Sequence, residues 1–194
     1  VFKGGLKVVT TLDVNMQEAA EVAAANKEAE ANNYVEGDPF EVSMVAIDPD
    51  NGYVKALVGG RDYYTSQVNL ATGLGGSGRQ AGSSFKTFTL VAALEAGISP
   101  DTMIDCSTTV EFPGWKVSNI GHHDYGTRSL ARAFAVSSNT GFARLIMSLG
   151  PEKVVEVAHR MGITSDLNAV GSLTLGSESV TPMEMADAYA TIAN

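Results

Sequence analysis

Six segments of this sequence place apolar residues at helical spacing, or are rich in Ala and Glu, and they predict six α-helices. Residues that begin or end helices bound several of these segments. Asp13 is the predicted N-cap of the first helix, Gly97 ends the second, and Thr181 with Glu184 forms a capping box before the last. The predicted helices cover residues 14 to about 31, 84–96, 129–136, 140–149, 151–161, and 182 onward.

Two β-prone runs, residues 41–47 and 53–58, flank a polar turn of sequence DPDNG and predict a β-hairpin. The first run carries apolar side chains on both faces, so we expect a strand that is buried between two layers. Residues 59–82 are predicted to form a long glycine-rich loop. Residues 98–127 are predicted to be irregular.

One hairpin is too few strands for six helices, because a two-stranded ribbon neither covers so many helices nor stands alone. The sequence therefore predicts that further strands lie beyond Asn194. The second edge of the strand at residues 41–47 is expected to pair with one of them. The chain also begins without an initiator Met, which is typical of a piece of a longer protein.

The composition is typical of a globular domain: the 194 residues are 44% hydrophobic and 18% charged, with a formal net charge of −9. The basic residues are scattered, so no phosphate-binding surface is predicted and nucleic acid is not an expected partner. A single cysteine, Cys106, excludes an internal disulfide.

Two sequence features suggest ligand sites but lack the other residues that such sites require. Residues 73–78 match the glycine spacing of a dinucleotide fingerprint, yet no strand directly precedes them and no acidic strand end follows at the required distance. The three histidines, His122, His123 and His159, lack metal-ligand spacing with Cys, Asp or Glu. We therefore predict neither a nucleotide site nor a metal site.

Ser83 and Lys86 form the one Ser-x-x-Lys motif of the chain, at the start of a predicted helix. Residues three apart lie on the same helix face, so the two side chains are within reach of each other. The positive end of a helix disfavours a second positive charge. The pKa of Lys86 is therefore predicted to be lowered, which favours the neutral amine. A neutral lysine can act as a base for a serine hydroxyl. A capping serine beside an exposed lysine is the simpler alternative.

Ser137, Ser138 and Asn139 form the one Ser-x-Asn motif, between two apolar helices. This junction could present polar groups to a cleft. Asn139 could also serve simply as the cap of a helix that begins at Thr140, and that role would not exclude a catalytic one.

Five segments together resemble the transpeptidase domain of class A penicillin-binding proteins. They occur in the family's order over nearly the whole chain, which is far more specific than either short motif. Class A is favoured over class B by GGRDY after the second strand and by RQ before the serine motif. The five segments are GLKVVTTLD (5–13), AIDPDNGYVKALVGGRDY (46–63), RQAGSSFK (79–86), SSNT (137–140) and VTPMEMADAYATIAN (180–194).

The sequence departs from the family pattern in three respects. Ala81 and Thr87 stand where the family often has Pro. The family's third motif, Lys-Thr-Gly, is missing, and in the family it lies on a strand downstream of Asn194. The resemblance thus implies that residues 1–194 are the N-terminal part of one transpeptidase domain. The remainder is expected on a missing segment or on another chain, a C-terminal fragment of the same domain.

The resemblance implies an α/β (α+β) fold like that of penicillin-binding proteins and serine β-lactamases, with an antiparallel sheet flanked by helices. It implies that Ser83 is the nucleophile, that Lys86 takes its proton, that Ser137 relays a proton, and that Asn139 hydrogen-bonds the substrate backbone. The implied reaction is D,D-transpeptidation, which cross-links peptidoglycan stem peptides without a cofactor. β-Lactams are expected to acylate the same serine.

Class A proteins carry a membrane anchor and a glycosyltransferase domain ahead of this region, which implies the extracytoplasmic face of the bacterial cell membrane. Two other functions remain open from the sequence. A D,D-carboxypeptidase or a β-lactam-hydrolysing enzyme would pass the acyl group to water. A β-lactam sensor or scaffold would be acylated without turnover.

Overall fold

A computed structural model describes residues 4–34, 36–37, 40–76 and 78–194 of the chain. All six predicted helices are present in this described part, together with eight short strands that pair as four antiparallel two-stranded sheets. The α/β class predicted from the sequence is confirmed. The helices are α1 (Val14–Asn32), α2 (Lys86–Glu95), α3 (Leu130–Ala135), α4 (Asn139–Leu149), α5 (Pro151–Arg160) and α6 (Pro182–Ala193). The strands are β1 (Met44–Ile47), β2 (Val54–Val58), β3 (Arg79–Gln80), β4 (Met103–Asp105), β5 (Thr109–Phe112), β6 (Trp115–Ser118), β7 (Thr127–Ser129) and β8 (Ser179–Val180).

The described residues divide into two units, one formed by residues up to 78 together with 181–194, the other by residues 79–180. In the first unit, α1 covers the hairpin of β1 and β2. Small side chains of α1, Ala20 and Ala24, pack with Ala56 and Val58 of β2. The capping box of α6 is formed as predicted, and α6 packs against β1.

The two edges of the hairpin differ. On β2, the side-chain amide of Gln17 donates to the Leu57 carbonyl (3.0 Å) and accepts from the Leu57 N–H (2.8 Å), so it satisfies that edge much as a further strand would. On the other side, β1 begins at Met44 rather than at residue 41, because the Val42 N–H donates to Glu28 Oε1 (2.8 Å) instead of entering the ladder.

Within the described part of the chain, β2 is the one strand that pairs with β1. The pairing of the other β1 edge with a strand outside this chain stays a prediction. Among its described residues, the predicted glycine-rich loop contains as regular structure β3, a single bridge between Asn69 and Leu74, and Gly82, where a 3₁₀ turn begins. Ser77 of this loop lies outside the described residues.

The prediction of irregular structure for residues 98–127 is wrong. β5 and β6 form a hairpin in which Phe112 is opposite Trp115, and their rings stack with centroids 5.4 Å apart. β4 pairs with β7. These strands are three or four residues long, so each spans too few positions for an alternating pattern to distinguish it from a loop.

Helices α2, α4 and α5 pack against one another in the second unit and enclose its core. Two aromatic rings, those of Phe85 and Phe88, lie 4.5 Å apart at the start of α2 and are fully buried. Lys86 lies between them in the sequence. The other large core side chains include Phe142, Ile146, Val154, Ile163 and Leu173.

Candidate active site

The turn that carries Ser83 is fixed by backbone contacts on both sides. Gln80 of β3 pairs with Ser179 of β8, and Gly82–Phe85 then form a 3₁₀ turn that leads into α2. Gly176 packs directly against this turn. A Cβ at Gly176 would lie 2.2 Å from the Gly82 nitrogen, and its φ of 70° also requires glycine. Ser83 is exposed on this closely packed backbone.

Lys86 is the first residue of α2, and its side chain is completely buried. Its Nζ lies 2.8 Å from Ser83 Oγ, 2.8 Å from Asn139 Oδ1, 2.9 Å from Ser137 Oγ and 3.1 Å from the Ser137 carbonyl oxygen. All four oxygens are uncharged. A neutral amine can donate to two of them and accept a proton from a serine hydroxyl.

Burial lowers the pKa of Lys86 to about 8, from the 10.5 that is usual for a lysine in water. The direction agrees with the expectation from the sequence, but the cause is desolvation rather than the helix dipole. At pH 7, roughly one Lys86 in ten is then neutral, against about three in ten thousand for a lysine of ordinary pKa. A neutral lysine at this population can serve as a general base.

Ser137 ends α3 in a left-handed backbone conformation, with a φ of 53°. Its N–H donates to the Phe134 carbonyl (2.8 Å), and the Ser138 N–H donates to the Ala133 carbonyl (2.9 Å), as in a helix end where glycine is usual. This conformation directs both the hydroxyl and the carbonyl of Ser137 to Lys86. Non-glycine residues in this region cluster at functional sites because they carry strain.

Asn139 begins α4, and its side-chain amide is bound at both ends. Its Oδ1 accepts from Lys86 Nζ, and its Nδ2 donates to the carbonyl of Ser118 at the end of β6 (3.1 Å). The cap of α4 is Ser138, whose Oγ accepts from the Gly141 N–H (3.1 Å). The alternative in which Asn139 caps a helix that begins at Thr140 is therefore wrong, because α4 begins at Asn139 itself and Ser138 provides the cap.

The structure thus brings together all four candidate residues, Ser83, Lys86, Ser137 and Asn139. The serine hydroxyls of residues 83 and 137 both lie within 3 Å of one buried amine. A nucleophile lies beside a base, and a second hydroxyl is within hydrogen-bond distance of the same base. This arrangement is suited to acyl transfer through a serine ester.

Three further residues that the sequence did not single out shape this cluster: Ser118, Asn119 and Gly176. Gly176 is detectable in principle as a glycine outside a predicted helix. Ser118 and Asn119 carry no such signal, because their contacts with residues 139 and 140 cross 21 positions of sequence.

The three histidines occupy two separate places in the fold. His122 and His123 are exposed after β6, while His159 Nδ1 lies 2.7 Å from the Ile163 carbonyl oxygen. Among the residues that the structure describes, no three His, Cys, Asp or Glu side chains are grouped so as to bind a metal ion.

Comparison with known families gives a match that covers most of the chain, including the whole cluster. Residues 42–194 match the family described as "Penicillin binding protein transpeptidase domain". The chain belongs to this family. The sequence-based identification is therefore confirmed, and with it the class of serine acyltransferases to which these transpeptidase domains belong.

Two curated bacterial proteins of this family illustrate how similar the chain is to its relatives. Penicillin-binding protein 1A of Mycobacterium tuberculosis is 37% identical over 97% of this chain, and penicillin-binding protein 2D of Bacillus subtilis is 36% identical over 98% of it. The chain spans only 24% and 27% of the lengths of these two relatives.

Solved structures share the same fold. The penicillin-binding protein PonA1 from Mycobacterium tuberculosis superposes with a TM-score of 0.83 at 34% identity, over 97% of this chain and 50% of that one. A structure of PonA1 in complex with penicillin V gives a TM-score of 0.82. An imipenem acyl-enzyme complex of penicillin-binding protein A from the same organism gives 0.80 at 25% identity, over 95% of this chain and 51% of that one.

No helix in the described part of the chain is both long enough and apolar enough to cross a membrane.

The left-handed conformation of Ser137 leads to a stability prediction for two substitutions that both remove its hydroxyl. Glycine adopts a φ of 53° without strain, whereas alanine does not. We therefore expect Ser137→Gly to be more stable than Ser137→Ala by about 1 kcal/mol, which is a few degrees in melting temperature. Calorimetry of this domain in the full-length protein measures the difference. Equal melting temperatures would contradict the strained conformation.

Proposed function

We propose that this chain is the N-terminal part of a D,D-transpeptidase domain that cross-links peptidoglycan stem peptides through an acyl-enzyme on Ser83. The observation that carries the proposal is the 2.8 Å contact between Ser83 Oγ and the buried Lys86 Nζ. Burial lowers the pKa of Lys86, so a neutral amine is accessible near neutral pH beside an exposed serine hydroxyl, in a member of the transpeptidase family.

In the proposed acylation, Ser83 Oγ attacks the carbonyl carbon between the two terminal D-alanines and transfers its proton to Lys86 Nζ. The C–N bond then breaks. Ser137 Oγ, 2.9 Å from Lys86 Nζ, passes a proton to the departing D-alanine amine and regains one from Lys86. These steps leave an ester on Ser83, a free D-alanine and a neutral Lys86.

In the proposed second step, the amine of a neighbouring stem peptide attacks this ester. Its proton goes to Lys86 and on to Ser83 Oγ, which leaves as the peptide cross-link forms. Asn139 donates one N–H to the Ser118 carbonyl, so the other N–H of its amide remains for the backbone of the donor peptide. The residues of the chain supply this chemistry, and the proposal includes no cofactor.

β-Lactams are proposed to acylate Ser83 in the same way. The relatives support this step, because PonA1 has been solved with penicillin V and penicillin-binding protein A as an imipenem acyl-enzyme. The lactam amide takes the place of the D-Ala-D-Ala amide, and its ring opens on the serine.

The rest of the domain is proposed to supply the Lys-Thr-Gly strand, as a C-terminal segment of the same protein. The β1 edge that lacks a strand partner among the described residues supports this arrangement, since β2 already has Gln17 at its other edge. We place the domain at the extracytoplasmic face of the cell membrane, where stem peptides are cross-linked.

The nucleophile can be tested by mapping a penicillin adduct on the full-length protein. We expect the adduct on the peptide that contains Ser83, and we expect Ser83→Ala to abolish it. Ser84→Ala is the matched control: Ser84 is also exposed, but its Oγ donates to the Ala81 carbonyl (3.0 Å), so labelling should persist. An adduct on Ser84 or Ser137 would overturn the assignment.

Product analysis tests the reaction itself. Given a D-Ala-D-Ala stem peptide and a second stem peptide with a free amine, the full-length protein should release D-alanine and form the cross-linked dimer. Mass spectrometry detects both products. Release of D-alanine without a dimer would instead indicate a carboxypeptidase, and penicillin acylation without any peptide turnover would indicate a sensor or scaffold.

The pKa of Lys86 predicts the pH dependence of acylation. The neutral base is lost as pH falls through about 8, so the rate constant should rise roughly tenfold from pH 7 to pH 9 and then level off.

Lys86→Arg keeps a positive charge but cannot give a neutral base, and should lower the acylation rate by roughly 10²–10⁴-fold. Stopped-flow acylation, corrected for lactam hydrolysis, measures both. A flat profile would refute the role of Lys86 as base.

A further inference from the structure

Asn119 lies directly after β6 and is only 3% exposed, yet its whole side chain is hydrogen-bonded. Its Nδ2 lies within donating distance of three backbone carbonyl oxygens: those of Cys106 (3.0 Å), His123 (3.0 Å) and Ser107 (3.2 Å). The two hydrogens of the amide are shared among these three acceptors. One end of Asn119 thus fixes two loops, one after β4 and one after β6.

The other end of Asn119 faces the start of α4. Its Oδ1 accepts from Ser138 Oγ (3.2 Å) and from the Thr140 N–H (3.2 Å), and the Thr140 hydroxyl lies 3.3 Å away. Because Ser138 Oγ donates to Asn119, its lone pairs face the Gly141 N–H, which it caps. Asn119 therefore orients the hydroxyl that begins α4.

These contacts enclose Asn139 from both sides in the sequence. Ser138 and Thr140 are its neighbours, and both are bound to Asn119 Oδ1. The residue before Asn119, Ser118, accepts from Asn139 Nδ2 through its carbonyl. The end of β6 thus fixes the backbone around Asn139 and also the orientation of its amide, which determines that Oδ1 points to Lys86.

We propose that Asn119 is a positioning residue for acylation, acting through the Ser137–Asn139 turn on Lys86. This inference rests on the proposed function, since it concerns the same reaction. Asn119 contacts neither the nucleophile nor the base. It determines where Ser137 Oγ and Asn139 Oδ1 lie, and these two atoms contact the Lys86 amine. Small displacements of such atoms are costly because the reaction depends on preorganised geometry.

A residue that only stabilised the fold would give a different result. If Asn119 acts through the turn, its loss admits water around Lys86, and the pKa of that amine moves back toward that of an ordinary lysine. The pH midpoint of acylation then rises, and the rate of acylation also falls. The effect of substituting Asn119 should also depend on whether Asn139 is present, because the two side chains act on the same amine.

The test uses penicillin acylation of the full-length protein. Asn119→Ala should lower the acylation rate constant by as much as roughly 100-fold and shift the pH midpoint upward. The effect of Asn119→Ala should shrink when Asn139 is already alanine. Val154→Ala is the control: Val154 is fully buried in α5 of the same unit, so its loss lowers stability without touching the turn.

Thr140→Val provides a milder variant that retains side-chain shape. It removes the hydroxyl that lies 2.8 Å from the Ser107 carbonyl and 3.3 Å from Asn119 Oδ1. Should Asn119→Ala fail to fold, this variant decides the matter, with a several-fold fall in rate and a smaller upward shift of the pH midpoint expected. Hydrogen exchange of residues 137–142, relative to the other amides of the unit, should be faster in both variants and unchanged in Val154→Ala.

The outcomes separate the two proposals. If the wild-type protein is acylated and the Asn119 or Thr140 variants behave like Val154→Ala, with an unmoved pH midpoint, Asn119 is not a positioning residue. If the wild-type protein is not acylated at all, the proposed function fails. Hydrogen exchange then still shows whether Asn119 orders the turn.

Discussion

The Lys86 amine is buried beside four uncharged oxygens, and the rest of the site depends on this burial. In the described part of the chain no carboxylate contacts Nζ, so no opposing charge offsets the loss of hydration, and burial lowers the pKa to about 8. A carboxylate in the same place would have favoured the ammonium and removed the base. The chemistry therefore follows from which partners Lys86 lacks as much as from which it has.

Keeping an amine in such a position requires a backbone that presents oxygens from separate elements at fixed distances. The 3₁₀ turn brings Ser83 next to Lys86, and the left-handed Ser137 directs two oxygens at it. Asn139 completes the set only because β6 binds the other end of its amide. The 3₁₀ turn and the left-handed Ser137 both depart from regular α-helix geometry, which is common where a site imposes its own requirements on the backbone.

Much of the fold could be predicted from the sequence, because local signals determine it. Asp13 and the Thr181 capping box each begin a helix through contacts among a few consecutive residues. The hairpin turn at residues 48–52 is equally local. The strands between residues 98 and 127 could not be predicted. They are too short to show a period, and they form because distant partners pair with them, as β4 does with β7.

For the site, the sequence by itself determined which residue types are available and that Ser83 and Lys86 lie close together, since three-residue spacing places side chains on one side of an α-helix and also of the 3₁₀ turn observed here. Only the tertiary structure decided that residues 137 and 139, more than fifty positions away, reach the same amine. It also decided why the Lys86 pKa is low: the helix start is a local property, whereas burial depends on the packing of α2 against α4 and α5. Desolvation has no signature in a short motif, because the atoms that exclude water come from the whole unit.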